Sequence, residues 1–116
     1  MSVSFGGIGS VIATFRTYGT IPEGGPVKMH GDGAVQACAA GDRFCGIAVY
    51  VSDDGHAAVQ LGGCASAAYT GTAPAVGYGR LVADGAGAVK TDSGTTGGEY
   101  LTLGTDTAAK TCGFIL

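Results

Sequence analysis

The segment Gly31-Asp32-Gly33-Ala34-Val35-Gln36 decides the fold of this chain, because it returns 54 residues later as Gly85-Ala86-Gly87-Ala88-Val89-Lys90. Each copy is a glycine-rich turn between short apolar runs, which is the pattern of a β-hairpin. A Cys-Gly pair followed by apolar residues closes both copies, as Cys45-Gly46 and Cys112-Gly113. This pair recurs after 67 residues, which predicts an insertion of 13 residues (67 − 54) in the second copy. The repetition predicts two related β halves. We expect them to pack around a core of apolar side chains, namely Val35, Ile47, Val49, Val59, Leu81, Val89, Leu101 and Ile115.

The rest of the chain carries the same kind of pattern. Short apolar or alternating runs predict nine strands, at 11–16, 27–30, 34–39, 44–51, 57–61, 78–83, 88–91, 99–103 and 111–116. Glycine interrupts every longer window, so residues 65–68 and 106–110 could each hold at most one helical turn. Short strands that are separated by frequent turn signals are typical of small barrels and sandwiches. We therefore expect an all-β fold, a small β-barrel or sandwich with an internal repeat and little helix.

The composition predicts a thin core. Of the 116 residues 23 are glycine and none is tryptophan, although 46% of the residues are hydrophobic and the net charge is only −3. Disordered chains combine low hydrophobicity with high net charge, so a folded chain is the better interpretation. Small folds with thin cores are often supplemented by subunit contacts, disulfides or metals. Oligomerisation is the favoured supplement here, and no cofactor is expected.

The charged residues exclude some partners. The six Lys and Arg residues are scattered singly, so they form no basic stripe that could bind a phosphate backbone, and we expect no direct contact with nucleic acid. No stretch approaches the length of about 20 apolar residues that a membrane helix needs, and the N-terminus does not resemble a signal peptide. The sequence therefore predicts no membrane partner and synthesis in a cytoplasm.

The side chains that could carry chemistry are few and dispersed. The spacing of Cys38, Cys45, Cys64 and Cys112 is not that of a zinc site, and the four cysteines allow three disulfide pairings. Free structural thiols are the favoured interpretation, since two of them precede glycine inside apolar runs. His30 and His56 lie at predicted turns without a partner at a triad or metal spacing. We predict neither catalytic residues nor a metal site. A cysteine hydrolase is the enzymatic alternative, and it would require a depressed thiol pKa.

The predicted strand 44–51 is apolar on both faces. Phe44, Ala48 and Tyr50 lie on one face and Cys45, Ile47 and Val49 on the other, since side chains alternate along a strand. Such a strand belongs either in the middle of the core or, with Phe44, Ala48 and Tyr50 facing outward, in an oligomer interface.

Residues 1–24 lie outside the repeat and form either an N-terminal arm or a first strand, whereas residues 25–116 form the β-barrel domain. The strand-like run 11–16 could pair with the sheet edge of another protein, or it could complete its own barrel. Val11, Ile12, Ala13, Phe15 and Arg16 are the residues in this run that would make the contact.

Several motifs together resemble a known family. The second half contains an Ala75-Val76-Gly77 start, a Gly85-to-Val89 hairpin and a Cys112-Gly113-Phe114 ending, and the first half contains Gly25-Pro26-Val27 and Gly46-Ile47-Ala48. This pattern is similar to that of the small Gly/Ala-rich head decoration, or cement, proteins of tailed phages and prophages. The likeness covers residues 25–116 and is a pattern of small residues.

The resemblance implies a function in the virion. Members of the family are compact β-barrels that trimerise on the outer surface of an icosahedral head and often bind the major capsid protein through an N-terminal arm, here residues 1–24. We therefore expect a protein of the outer capsid surface, assembled in the cytoplasm of a bacterial host, that stabilises the head mechanically. The alternative is a carbohydrate- or receptor-binding β module of a phage tail or fibre, which a cluster of exposed tyrosines would favour.

Overall fold

A computed structural model describes residues 10–116, and these residues form β-strands and turns without a helix. The ten strands are β1 (Val11–Tyr18), β2 (Pro26–Gly31), β3 (Ala34–Ala37), β4 (Gly46–Val51), β5 (His56–Gly62), β6 (Cys64–Ala68), β7 (Gly77–Ala83), β8 (Val89–Thr91), β9 (Gly98–Asp106) and β10 (Thr111–Ile115). The all-β prediction is therefore confirmed.

The strands form two sheets that divide the chain in the middle. The first five strands close into a barrel in the order β1-β3-β2-β4-β5, and the last five form a sheet in the order β6-β10-β9-β7-β8. Neighbouring strands are antiparallel, apart from the parallel pair β1 and β3. Each strand of the second half has the same neighbours as the strand five numbers earlier, except that β6 and β8, the counterparts of β1 and β3, lie at opposite edges of the second sheet. The second half thus repeats the topology of the first.

The repeat extends to the pairing of individual residues. Val27 pairs with Ala37 and Met29 with Val35 in the first half, as Leu81 pairs with Thr91 and Ala83 with Val89 in the second. The β4–β5 and β9–β10 pairs each skip one residue, Val49 and Leu103, which again differ by 54 positions. A single parallel bridge between Tyr69 and Val89 takes the place of the β1–β3 pair.

The boundaries of the repeat differ from the prediction. Cys45-Gly46 leads into β4, whereas Cys112-Gly113 lies within β10, whose counterpart is β5. The two Cys-Gly pairs are therefore not equivalent, and the predicted insertion of 13 residues is wrong. The halves run over 11–62 and 64–115, so β1 and β6 belong to the repeat.

Strand β6 is the element that the sequence pattern missed. Residues 65–68 were expected to form at most a helical turn, but they pair with β10 from Ala65 opposite Phe114 to Ala68 opposite Thr111. Ala65 and Ala67 alternate inward with Ser66 and Ala68 outward, and alanine gives only a weak hydrophobic contrast between the two faces. Residues 107–110 form the turn between β9 and β10, where the Asp106 carboxylate accepts hydrogen bonds from two backbone N–H groups.

Two clusters of buried residues form the core. One fills the first barrel with Ile21, Val27, Val35, Ala48, Ala57 and Val59. The other lies in the second half but includes Cys38, Phe44 and Ile47 from the first. Of the predicted core residues, Val35, Ile47, Val59, Leu81 and Val89 are buried. Val49 is exposed at the β-bulge, and Leu101 and Ile115 are only partly buried because Tyr100, Thr102 and Phe114 face inward instead.

The loop between β3 and β4 joins the halves. The ring of Phe44 stacks on Tyr100 with centroids 5.1 Å apart and meets Phe114 edge-on at 6.1 Å. The Tyr100 hydroxyl donates a hydrogen bond of 3.2 Å to the backbone oxygen of Phe44. Within the same loop, the Asp42 carboxylate accepts hydrogen bonds from the Lys28 ammonium and the Ala39 N–H, which holds its pKa below the usual value. The first half thereby completes the core of the second.

Candidate binding surface

Strand β1 carries the five residues predicted to bind a capsid. Val11 and Ile12 are 55% and 54% exposed, and Arg16 is exposed as well. Ala13 and Phe15 are partly buried, and Phe15 packs against the core of the first barrel. Val11, Ile12 and Arg16 therefore lie at the surface, whereas Ala13 and Phe15 are partly covered by the chain itself.

Residues 11–18 form the first strand of the barrel, while residues 1–9 of the expected arm lie outside the described part of the chain. Strand β1 pairs with β5 along its length from Val11 to Arg16, but with β3 only from Arg16 to Tyr18. Among the described residues, the β3-facing edge of residues 11–15 thus has no strand partner. An edge of this kind offers backbone N–H and C=O groups to a strand from another protein.

The residues predicted for an oligomer interface lie in different environments. Phe44 and Ala48 are 2% and 0% exposed, since each belongs to one of the two core clusters. Tyr50 is 59% exposed and stands on the outer face of the barrel, where its strand is paired with β5 at Ala58. The chain itself covers Phe44 and Ala48, so Tyr50 alone of the three presents its side chain to a partner.

A polar groove lies at one end of the first barrel. The ring of Tyr18 stacks on His30 with centroids 3.6 Å apart and planes at 10°. Arg16 donates a hydrogen bond of 2.6 Å to the backbone oxygen of Asp32, and His56, the β5 partner of Arg16, also lines the groove. The groove therefore combines an exposed aromatic face with hydrogen-bonding groups.

Asp54 and His56 separate this groove from a second one that is lined by Thr14, Tyr50 and Ser52. The Asp54 carboxylate accepts a hydrogen bond from the Ser52 hydroxyl and lies 3.2 Å from Nδ1 of His56. These two contacts lower the pKa of Asp54. Both the serine and the histidine contact the carboxylate, so the serine hydroxyl is not held against the histidine as a nucleophile would be.

The four cysteines are unpaired in the structure. Burial raises the pKa of Cys38 and of Cys112 to about 11, and burial also raises the pKa of Cys45. A nucleophilic cysteine needs the opposite shift, because the thiolate is the reactive form. The raised pKa values disfavour the thiolate form of these three residues at neutral pH, and Cys45 is the one of them that is exposed at the surface.

Residues 10–116 contain no cluster of three or more histidine, cysteine or acidic side chains with the geometry of a metal site. Over the same residues no helix is long and apolar enough to cross a membrane.

The sequence interpretation missed the stacking of Tyr18 on His30, because the two residues lie on different strands. It also missed the open edge of β1, which depends on where β3 ends.

No protein-family model matches this chain, and neither does any curated protein sequence.

Proposed function

We propose that this protein is a head decoration protein of a tailed phage or prophage, which binds the major capsid protein on the outer surface of the head as a homotrimer. The observation that carries the proposal is the half-paired strand β1, where an open backbone edge at 11–15 adjoins the exposed side chains of Val11 and Ile12. Backbone hydrogen bonds along such an edge supply affinity, and the apolar side chains next to it add buried area.

A mechanical function suits the chemistry of the surface. Burial raises the pKa values of Cys38 and Cys112, and Ser52, Asp54 and His56 lack the connectivity of a triad, so neither group supports turnover. Three linked copies would each hold a neighbouring capsid subunit, and the second and third contacts would form at a high effective concentration. The bound trimer would then strengthen the joints between capsomers.

The test replaces one apolar side chain beside the edge. Ile12→Lys should abolish cosedimentation with phage heads that were purified without this protein, because a buried charge has no partner there. Val76→Lys is the matched control, since Val76 is 70% exposed and lies in the other half. Circular dichroism checks that both variants fold. Equal binding by Ile12→Lys and the wild type would place the contact elsewhere on the surface.

Carbohydrate binding by a tail or fibre module is the second candidate, and the Tyr18–His30 stack favours it. Sugars bind to exposed aromatic faces that have hydrogen-bonding groups nearby, and Arg16, Asp54 and His56 lie around this stack. Tyr50 stands in the adjoining groove, whereas Tyr69 and Tyr100 are buried. A glycan array should give signals that Tyr18→Ala loses and Tyr78→Ala keeps, and an array without signal would exclude the sugars tested.

A further inference from the structure

A backbone contact joins the two halves, and each half contributes a different surface to it. The N–H of Gly41 donates a hydrogen bond of 2.8 Å to the backbone oxygen of Ala83, and the N–H of Ala83 donates one of 2.9 Å to the oxygen of Asp42. The β3–β4 loop of the first half therefore pairs with the end of β7 in the second half.

The equivalent groups are located 54 positions away. The counterpart of Ala83 is Met29 on β2, and the counterparts of Gly41 and Asp42 are Thr95 and Thr96 in the β8–β9 loop. In a two-fold contact Thr95 and Thr96 would pair with Met29 of the same chain. No backbone hydrogen bond joins these residues in the described chain. The contact is thus heterologous. The β8–β9 loop and the β2 edge at Met29, which are the counterparts of the two surfaces in contact, form no such contact with each other within the described chain.

Both of these counterpart surfaces are open. Strand β2 pairs with β4 only at Pro26 and Val27, so its edge continues to the exposed Met29 without a strand partner in the described chain. Residues 93–96 of the β8–β9 loop are exposed. This loop covers residues 92–97 and is two residues shorter than the β3–β4 loop at 38–45, because β9 begins two residues earlier relative to its bulge than β4 does.

Glycines lie both at the contact within the chain and at its counterparts, but only those at the contact are close to other atoms. At the contact within the chain, a Cβ on Gly25 would lie 3.2 Å from Gly87, and a Cβ on Gly85 would lie 2.8 Å from the nitrogen of Ala40. The counterparts of Gly25 and Gly85 are Gly79 and Gly31, and a Cβ on either would have nothing within 4 Å. Neither Gly31 nor Gly79 has a positive φ, so the backbone does not require glycine at these two positions.

We propose that a second copy of this chain occupies these surfaces. The β8–β9 loop of one copy hydrogen-bonds to the β2 edge of the next at Met29, as the β3–β4 loop bonds to Ala83 within the chain. Gly79 of the first copy then meets the β2–β3 turn of the next, and Gly31 there accommodates the incoming loop at Gly94. The two glycines are explained by the close approach of another backbone.

A head-to-tail contact of this kind generates a ring when its rotation closes. Three chains would place six similar halves around such a ring. The inference rests on the trimer in the proposed function and gives its interface, but it does not involve the capsid. It is tested on the purified protein alone, so its failure leaves the capsid contact at Ile12 to be judged by its own experiment.

The test uses two valine substitutions on opposite surfaces. Sedimentation velocity at micromolar concentration should show a discrete oligomer for the wild type and monomers for Gly31→Val and Gly79→Val. Gly104→Val is the matched control, because Gly104 also lies in a strand, has a φ outside the positive range, and would have nothing within 4 Å of a Cβ. This control should keep the oligomer. Circular dichroism checks the fold of all three variants, and if one of the test variants does not fold, the other carries the test.

Mixing the two monomeric variants gives a second measurement. Gly31→Val retains an intact loop surface and Gly79→Val an intact β2 edge, so an equimolar mixture should form heterodimers that extend no further. A monomeric wild type would overturn the proposal. An oligomer that both Gly31→Val and Gly79→Val keep would overturn it as well.

Discussion

At the scale of single residues, Gly46 shows how closely two strands approach. A Cβ at this position would overlap the backbone oxygen of Gln60 and lie 2.8 Å from the side chain of Val59, at the point where β4 begins beside β5. Gly46→Ala should lower the free energy of unfolding by about 1 to 3 kcal/mol, as overpacked core positions do. Urea denaturation measures the change. Gly104→Ala, which meets no atom, should stay within about 0.5 kcal/mol of the wild type, and equal effects of the two would contradict the argument.

The buried thiols make stability depend on alkaline pH. Burial raises the pKa of Cys112 to about 11 from the usual thiol value of 9.0, so the unfolded chain loses this proton at a lower pH than the folded chain does. The thiol's contribution is therefore fully present below pH 9 and is lost as the pH rises towards 11. Cys112→Ala removes the titration, so the stability difference between this variant and the wild type should narrow over that interval. A constant difference would show that the pKa of the Cys112 thiol is the same in the folded and the unfolded chain.

Several residue positions could be predicted from the sequence, and others could not. Val35, Val59 and Val89 were predicted in the core and are buried, because they lie in short strands next to unambiguous turns. Val49 was predicted there too, but the β-bulge turns it outward. A bulge depends on the partner strand and leaves little trace in the strand's own alternation. Phe44 lies at the end of a long loop, and its place in the core of the other half depends on where that loop packs, which the local pattern does not show.

At the scale of elements, the β3–β4 loop is the connection that couples the halves. Phe44 is 2% exposed and packs between Tyr100 and Phe114, so Phe44→Ala should lower the free energy of unfolding by about 3 to 5 kcal/mol. Tyr100→Phe keeps the ring and removes only the hydrogen bond to the Phe44 oxygen, which should cost about 0.5 to 1.5 kcal/mol. Thermal or urea unfolding measures both values. If Phe44→Ala were no more damaging than Tyr100→Phe, the aromatic packing would not be what joins the halves.

Strand β1 illustrates what could be known of the candidate site. The sequence predicts a strand at 11–16 and leaves open whether it leaves the barrel or completes it. Its apolar and polar residues alternate too weakly to decide, and the pairing with β5 decides for the barrel. The exposed Val11 and Ile12 were among the predicted contact residues. The open edge beside them could not be predicted, because it results from β3 beginning only opposite Arg16.

At the scale of the whole molecule, the two halves are alike in topology but differ in independence. The core of the first barrel contains only residues of its own half, from Ile21 to Val59. The core of the second half includes Cys38, Phe44 and Ile47 from the first. Each half has only about 50 residues, a size at which domains are marginally stable, so the borrowed side chains should decide whether a half can fold alone.

The chain divided at the β5–β6 junction tests this asymmetry. The fragment 1–62 should keep a β-type circular dichroism spectrum and dispersed amide signals, whereas the fragment 63–116 should be unfolded alone, because its core would lack the ring of Phe44. Mixing the two should restore the spectrum of the intact chain, since the Phe44–Tyr100 contact needs no covalent link between the halves. The mixture with Phe44→Ala in the first fragment should not recover it. A fragment 63–116 that folds alone would show that the second half does not depend on the first for its core, and that the loop between β3 and β4 only covers a finished surface.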